Sequence, residues 1–176
     1  MGSMEFTLPQ AYLGGLLVLL SAAAVLVGRQ ILRVRRDETA LARLEADAKG
    51  GAQTAADLYE LGSVQLRKRL YNQAADSLKR ALKASASEPA EAQALIENAL
   101  GFALAAQNNY SGAIRHYRSA LRSKADYPVA LNNLAYALEK QQKPEEARET
   151  YAKVLELDAG NSTALKRLKR LDRLAA

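Results

Sequence analysis

A pattern that recurs along the chain limits its fold more than any other feature. Leu61-Gly62, Leu100-Gly101 and Leu134-Ala135 form one aligned pair of positions. Ala74, Ala113 and Ala147 form a second, Leu78, Tyr117 and Tyr151 a third, and Ala81, Ala120 and Val154 a fourth. The second and third copies lie 34 residues apart and the first and second 39. A unit of that length fits one helical hairpin, which buries its apolar face only by stacking on further copies of itself. The longer first interval places about five extra residues in the turn around Ser85 to Glu91, where a loop absorbs them at small entropic cost.

The residue types suit helices that cross closely. Gly62, Gly101 and Ala135 let the first helix of each unit approach the second, and Ala74, Ala113 and Ala147 do the same from the second helix. Leu58, Leu61, Leu78, Leu100, Tyr117, Leu131, Leu134 and Tyr151 fill the space between pairs. Tyr71 and Tyr110 open the second helices, and Pro144 takes that place in the third copy, where a first-turn proline has no hydrogen bond to lose. The first copy departs from the apolar pattern at Gln65 and the second at Glu97. Over residues 55–161 these motifs resemble tetratricopeptide (TPR) repeats, with units expected at 55–88, 94–127 and 128–161. Residues 162–176 read as a capping helix, with Leu165, Leu168, Leu171 and Leu174 in one stripe toward the array and Lys166, Arg167, Lys169, Arg170 and Arg173 facing away. The expected fold class is all-α: an N-terminal transmembrane helix, a three-unit TPR solenoid of helical hairpins, and a C-terminal capping helix.

The transmembrane expectation rests on residues 6–28, 23 positions without a charge. As a helix they span about 35 Å against a hydrocarbon core of about 30 Å. A cleaved signal peptide would carry its positive charge ahead of a shorter apolar run, whereas here Glu5 precedes the run and Arg29, Arg33, Arg35 and Arg36 follow it. Those arginines are the membrane-surface and topology determinants, and they place the repeats on the cytoplasmic or stromal side. Residues 29–51 form a basic flank, a helical neck and, at Gly50-Gly51, a hinge. Met1-Gly2-Ser3, followed at once by a second start-like Met4, reads as an expression-tag remnant.

Composition removes most chemistry. With no Cys there is no disulfide, thiolate nucleophile or thiolate-ligated metal, and the one His, His116, has no second His to complete a metal site. His116 is expected to be a solvated surface residue. Phosphate-cradling loops, metalloprotease helices and nucleophile elbows are all missing. The chain is therefore expected to be no enzyme, with no cofactor, no small-molecule substrate and no bound metal. Its formal charge of +6 resolves into the two basic clusters at 29–36 and 166–173 rather than a nucleic-acid surface, so no nucleic-acid partner is expected.

Protein binding remains, and the face lined by the first helices is where a stacked array offers a groove. That groove is expected to present Tyr59, Ser63, Asn98, Phe102, Asn132, Asn133, Tyr136 and Lys140. Amides bond a peptide backbone in both directions, and aromatics give large contact area at low entropy cost. The Lys/Asn/Arg clamp of arrays that hold chaperone tails would fall on Tyr59, Ser63, Ala99, Val129 and Asn133, of which only Asn133 has the side chain required.

Residues 8–17 with the following Arg29-Gln30-Ile31, the segment Asn98-Ala99-Leu100-Gly101-Phe102-Ala103, and residues 132–141 carry a closer likeness. Joined in this order, they resemble a cyanobacterial and chloroplast family of membrane-anchored TPR proteins that assist photosystem I assembly. The resemblance implies a single-pass protein of the thylakoid membrane with a lumenal N-terminus and the array on the cytoplasmic or stromal side. It also implies photosystem I subunits or assembly intermediates as partners, besides the lipid bilayer. An anchored TPR receptor for organellar protein import or trafficking is the alternative, against which the groove amides Asn98, Asn132 and Asn133 count.

Overall fold

A computed structural model describes residues 8–50 and 53–175, with side chains from 12 to 46 and from 53 to 174, and all regular structure among them is helical. Residues 1–3, the start of the apolar stretch at Phe6, and Gly51 of the expected hinge lie outside the described residues. The chain divides into two compact units, Met1–Ala42 and Arg43–Ala176.

The first unit is built from α1 (Leu8–Gly50), whose last residues belong to the second unit. Leu13, Leu16, Leu17, Leu19 and Leu26 are all exposed along it. By length and composition, α1 can cross a membrane. Arg29, Arg33, Arg35 and Arg36 are exposed where the apolar run ends. Gly28 does not interrupt the helix.

The second unit holds α2 (Ala55–Arg67), α3 (Tyr71–Ala84), α4 (Ala90–Ala106), α5 (Tyr110–Ser123), α6 (Pro128–Lys140), α7 (Pro144–Leu157) and α8 (Ser162–Ala175). Each packs chiefly on the next, with α2 also touching α4 and α4 touching α6. This is the near-neighbour connectivity of a solenoid. The helix ends follow from local chemistry. Thr54 and Asp57 close a capping box on α2, and Asn109 Oδ1 accepts from Gly112 N at 3.0 Å on α5. Pro128 and Pro144 occupy first-turn positions in α6 and α7.

All three intra-hairpin turns are built alike. Leu70 N donates to Gln65 O, Asn109 N to Leu104 O and Lys143 N to Leu138 O, each at 2.9 to 3.0 Å. The residue before each donor has positive φ: Arg69 at 60°, Asn108 at 62° and Gln142 at 59°. This is the left-handed helix stop usually given to glycine.

Inside the hairpins, Ala74, Ala81, Ala113, Ala120, Ala147 and Val154 are fully buried, as are Leu78, Tyr117 and Tyr151 to within 1%. Gly62 and Gly101 are required by contact. A Cβ built on Gly62 lies 2.6 Å from Leu78 Cγ, and one on Gly101 lies 2.6 Å from Tyr117 Cε1.

Three expectations are corrected. The extra residues of the first interval do not all sit in a loop. α4 has 17 residues where α2 and α6 have 13, so four of them add a turn to its start. The alanine-rich stretch at 90–94 favours helix, and Gln93 Nε2 ties that turn to Ser85 O at 3.1 Å and Glu88 O at 3.0 Å.

His116 is not simply solvated. Its Nδ1 lies 2.6 Å from Glu97 Oε2, and Ser119 Oγ donates to Glu97 Oε1 at 2.8 Å. Glu97 stands where the flanking copies have Leu58 and Leu131, and the second helix of the same copy supplies its partners. The first copy solves the same problem with Ser77 Oγ donating to the buried Gln65 Oε1 at 2.8 Å.

The capping helix also turns differently. Ala164 and Leu171 are buried, while Leu165 is 48% and Leu174 77% exposed. Leucines spaced by three drift around a helix of 3.6 residues per turn, and nine positions put Leu165 and Leu174 about half a turn apart. Arg167 and Arg170 do not face away, because both reach Glu139, whose side chain is only 6% exposed.

Candidate functional site

α2, α4 and α6 position the expected groove residues through the repeat itself, since Tyr59, Asn98 and Asn132 are equivalent, as are Ser63, Phe102 and Tyr136. Five of the eight come together on α4 and α6. Asn133 Nδ2 donates to Asn98 Oδ1 at 3.0 Å, linking the two helices, and Asn98 Nδ2 donates to Tyr127 Oη at 3.3 Å. Phe102, Asn133 and Tyr136 line one pocket of about 310 Å³ with Ala105, Ala106, Asn108, Tyr110 and Tyr117. Phe102 is 45% exposed at its mouth. Lys140 Nζ lies 5.5 Å from the centre of the Tyr136 ring, and the Arg167 guanidinium 5.0 Å. Tyr136 therefore carries the Lys140 and Arg167 cations over its ring.

Tyr59 lines a separate, smaller pocket of about 130 Å³ with Ala55, Ala56, Glu88, Ala92, Leu95 and Ile96. Ser63 is half-buried on α2, and its carbonyl accepts from Arg67 Nη1 at 3.4 Å.

Asn132 repeats the role of Asn98 one unit later. Its Nδ2 donates to Asn161 Oδ1 at 3.2 Å, and Asn161 is the counterpart of Tyr127. Its own Oδ1 is buried without a partner. The reason lies in the end of the stack. Asn98 Oδ1 is satisfied by Asn133, and the residue equivalent to Asn133 one unit further is Arg167, which is drawn to Glu139 instead. Such an orphaned acceptor costs about 1–3 kcal/mol.

Burial and charge set the state of the tyrosines. Burial, and then the nearby Tyr59, push the Tyr127 hydroxyl above its usual range. Burial pushes up Tyr117, and burial with the hydrogen bond to Glu139 pushes up Tyr151. All three stay protonated near neutral pH, and Tyr151 Oη donates to Glu139 Oε1 at 2.7 Å.

The sequence reading missed several members of this face. Leu95 and Val129 are exposed apolar residues at equivalent positions on α4 and α6, and the 34-residue offset alone would have paired them. Tyr127, Asn108 and Tyr110 lie outside the first helices, so no helix-face pattern reaches them. Ser119 and His116 both bond to Glu97 rather than to each other, so the pair does not form a hydroxyl nucleophile with an imidazole base. Among the described residues no cluster of His, Cys, Asp and Glu could hold a metal ion.

A tetratricopeptide repeat model matches residues 104–171, from the end of α4 into α8. The ycf37 protein of Cyanophora paradoxa is 30% identical over 90% of this chain and 91% of its own length. The chain belongs to the ycf37 family. The ycf37 protein of Guillardia theta is 29% identical over 96% of this chain and 94% of its own. A chloroplastic tetratricopeptide repeat domain-containing protein of Arabidopsis thaliana, PYG7, is 29% identical, and this chain spans 53% of its length. Among solved structures, MamA superposes with a TM-score of 0.73 at 21% identity, covering 81% of each chain, which shows the shared fold. The chain is thus an all-α TPR protein of a chloroplast and cyanobacterial family, and its repeats are of the kind that bind other proteins.

Proposed function

We propose that this protein is a membrane-tethered scaffold that assists the assembly or stability of photosystem I at the thylakoid membrane. The observation that carries the reading is the extent of the relatedness. The match to the Guillardia theta relative runs over 96% of the chain, so it takes in the apolar first helix as well as the repeats. The joined anchor and repeats are also what resemble the photosystem I assembly family. The chloroplastic relative supports the compartment. α1 crosses the bilayer with the N-terminus in the lumen, and the basic residues after its apolar run keep the array on the stromal or cytoplasmic side. Tethering raises the effective concentration of the array at the membrane where its client is built. The clients are photosystem I subunits or an assembly intermediate, held by Tyr59, Ser63, Asn98, Phe102, Asn132, Asn133, Tyr136 and Lys140. No catalytic step is involved.

The test is genetic. Removing the gene should lower photosystem I relative to photosystem II in thylakoid membranes. The full chain should restore it, and a chain lacking residues 4–36 should not at native expression. Unchanged photosystem I would overturn the function, and full rescue by the untethered array would overturn the tether.

A further inference from the structure

Two basic clusters carry the excess charge of the chain, and only part of the second is used within the fold. Arg167 and Arg170 both pair with the single carboxylate of Glu139, which offsets one of their two charges. Lys166, Lys169 and Arg173 remain exposed. With steps of about 100° per residue they fall on one face of α8, opposite the buried Ala164 and Leu171. The one carboxylate of α8, Asp172, is engaged by Arg148 at 3.1 Å and does not balance them. Leu165 and Leu174 flank this cationic face on its two sides, both exposed.

We propose that the outer face of α8 docks on anionic lipid headgroups, as a second membrane contact of the array. Charge complementarity chooses the occupant, and the flanking leucines choose between anionic surfaces. A row of cations bordered by apolar side chains matches an interface with charge at its surface and hydrocarbon below, whereas leucines gain nothing against a phosphate backbone in water. The proposal rests on the tethered reading. It adds that the array lies down on the membrane by α8, which would fix the direction its groove faces.

The absence of Cys from the chain allows a clean test. A single spin label is placed at Ser162→Cys on the same outer face, or at Ser87→Cys between α3 and α4 as control. The full-length protein is reconstituted in nanodiscs of phosphatidylcholine alone or with phosphatidylglycerol. The label at 162 should become immobilised and accessible to a headgroup-depth relaxation agent only in anionic discs, and the label at 87 should not respond. Lys166→Gln, Lys169→Gln and Arg173→Gln together should weaken this docking roughly 100-fold, at the attraction expected per basic residue near an anionic surface. Circular dichroism should show the fold intact. A label at 162 that stays equally mobile in both discs, with the protein still disc-bound, overturns the lipid contact and leaves the tether standing. Failure to enter either disc overturns the tether and the proposal with it. Immobilisation by added RNA as strong as by anionic lipid would assign the face to nucleic acid and overturn the lipid reading.

Discussion

Gly101→Ala is the sharpest test of the helix crossing on which each repeat depends, because two effects of opposite sign meet at one atom. In an exposed helix, Ala in place of Gly stabilises by about 1 kcal/mol. Here the added Cβ would stand 2.6, 2.8 and 3.1 Å from Cε1, Cδ1 and Cζ of Tyr117, against about 3.5–4.0 Å for comfortable carbon contacts. The ring is only 1% exposed, so relief comes from separating α4 and α5 by about 1 Å or from pushing the ring toward the pocket it lines with Phe102 and Tyr136. Overpacking of that kind costs about 1–3 kcal/mol, and after the propensity gain the expected net effect is a loss of up to about 2 kcal/mol. The measurement is urea unfolding in detergent followed by far-ultraviolet circular dichroism, with Tyr117→Ala as a second background. In that background the clash is gone, and Gly101→Ala should stabilise by about 1 kcal/mol. Stabilisation by Gly101→Ala in the intact chain would refute the close crossing and leave only helix propensity at work.

Other consequences are as direct. Gln142→Gly should raise stability by about 0.5–1 kcal/mol, because Gln142 holds φ at 59° and pays for a left-handed conformation that glycine adopts freely; a fall in melting temperature would contradict the turn. Ser77→Ala should cost about 1–3 kcal/mol by leaving the buried Gln65 Oε1 unpaired, and Gln65→Leu added to it should recover most of that loss in the same unfolding assay. Tyr117, Tyr127 and Tyr151 have folded pKa values raised from 10.0. The folded state therefore holds their protons more tightly, and the stability they contribute is complete below about pH 10 and is lost as pH rises beyond it. Phenolate absorbance should show some of the 8 tyrosines ionising only as the helical signal collapses; ionisation of all of them with the fold intact would contradict their burial.

Much of the array could be read from the sequence, because a repeat states the same packing problem three times. Small residues at 62, 101 and 135 mark the crossings without any structure. Helix starts at Tyr71, Tyr110 and Pro144 follow from the same register. What escaped detection was everything that breaks the repeat. Gln65 and Glu97 looked like simple departures, and only the structure pairs them with Ser77 and His116 on the next helix. The inward turn of Arg167 and Arg170 depends on Glu139, an unremarkable charge in sequence, and the leucine stripe of α8 was read at a period of three where a helix requires 3.6. The candidate groove was legible as a set of equivalent positions. Its hydrogen bonding was not, since Tyr127 and Asn161 reach it from the loops between hairpins.

The central claim is that the face carried by α4 and α6 binds photosystem I components at the membrane. Affinity purification of the full-length tagged protein from native thylakoid membranes, with partners identified by mass spectrometry, tests it most directly. The Phe102→Ala plus Tyr136→Ala variant should be run beside it. Photosystem I subunits should be recovered with the intact protein and lost with a variant that keeps its helical content. Their absence from the intact protein, or their undiminished recovery with the variant, would contradict the account.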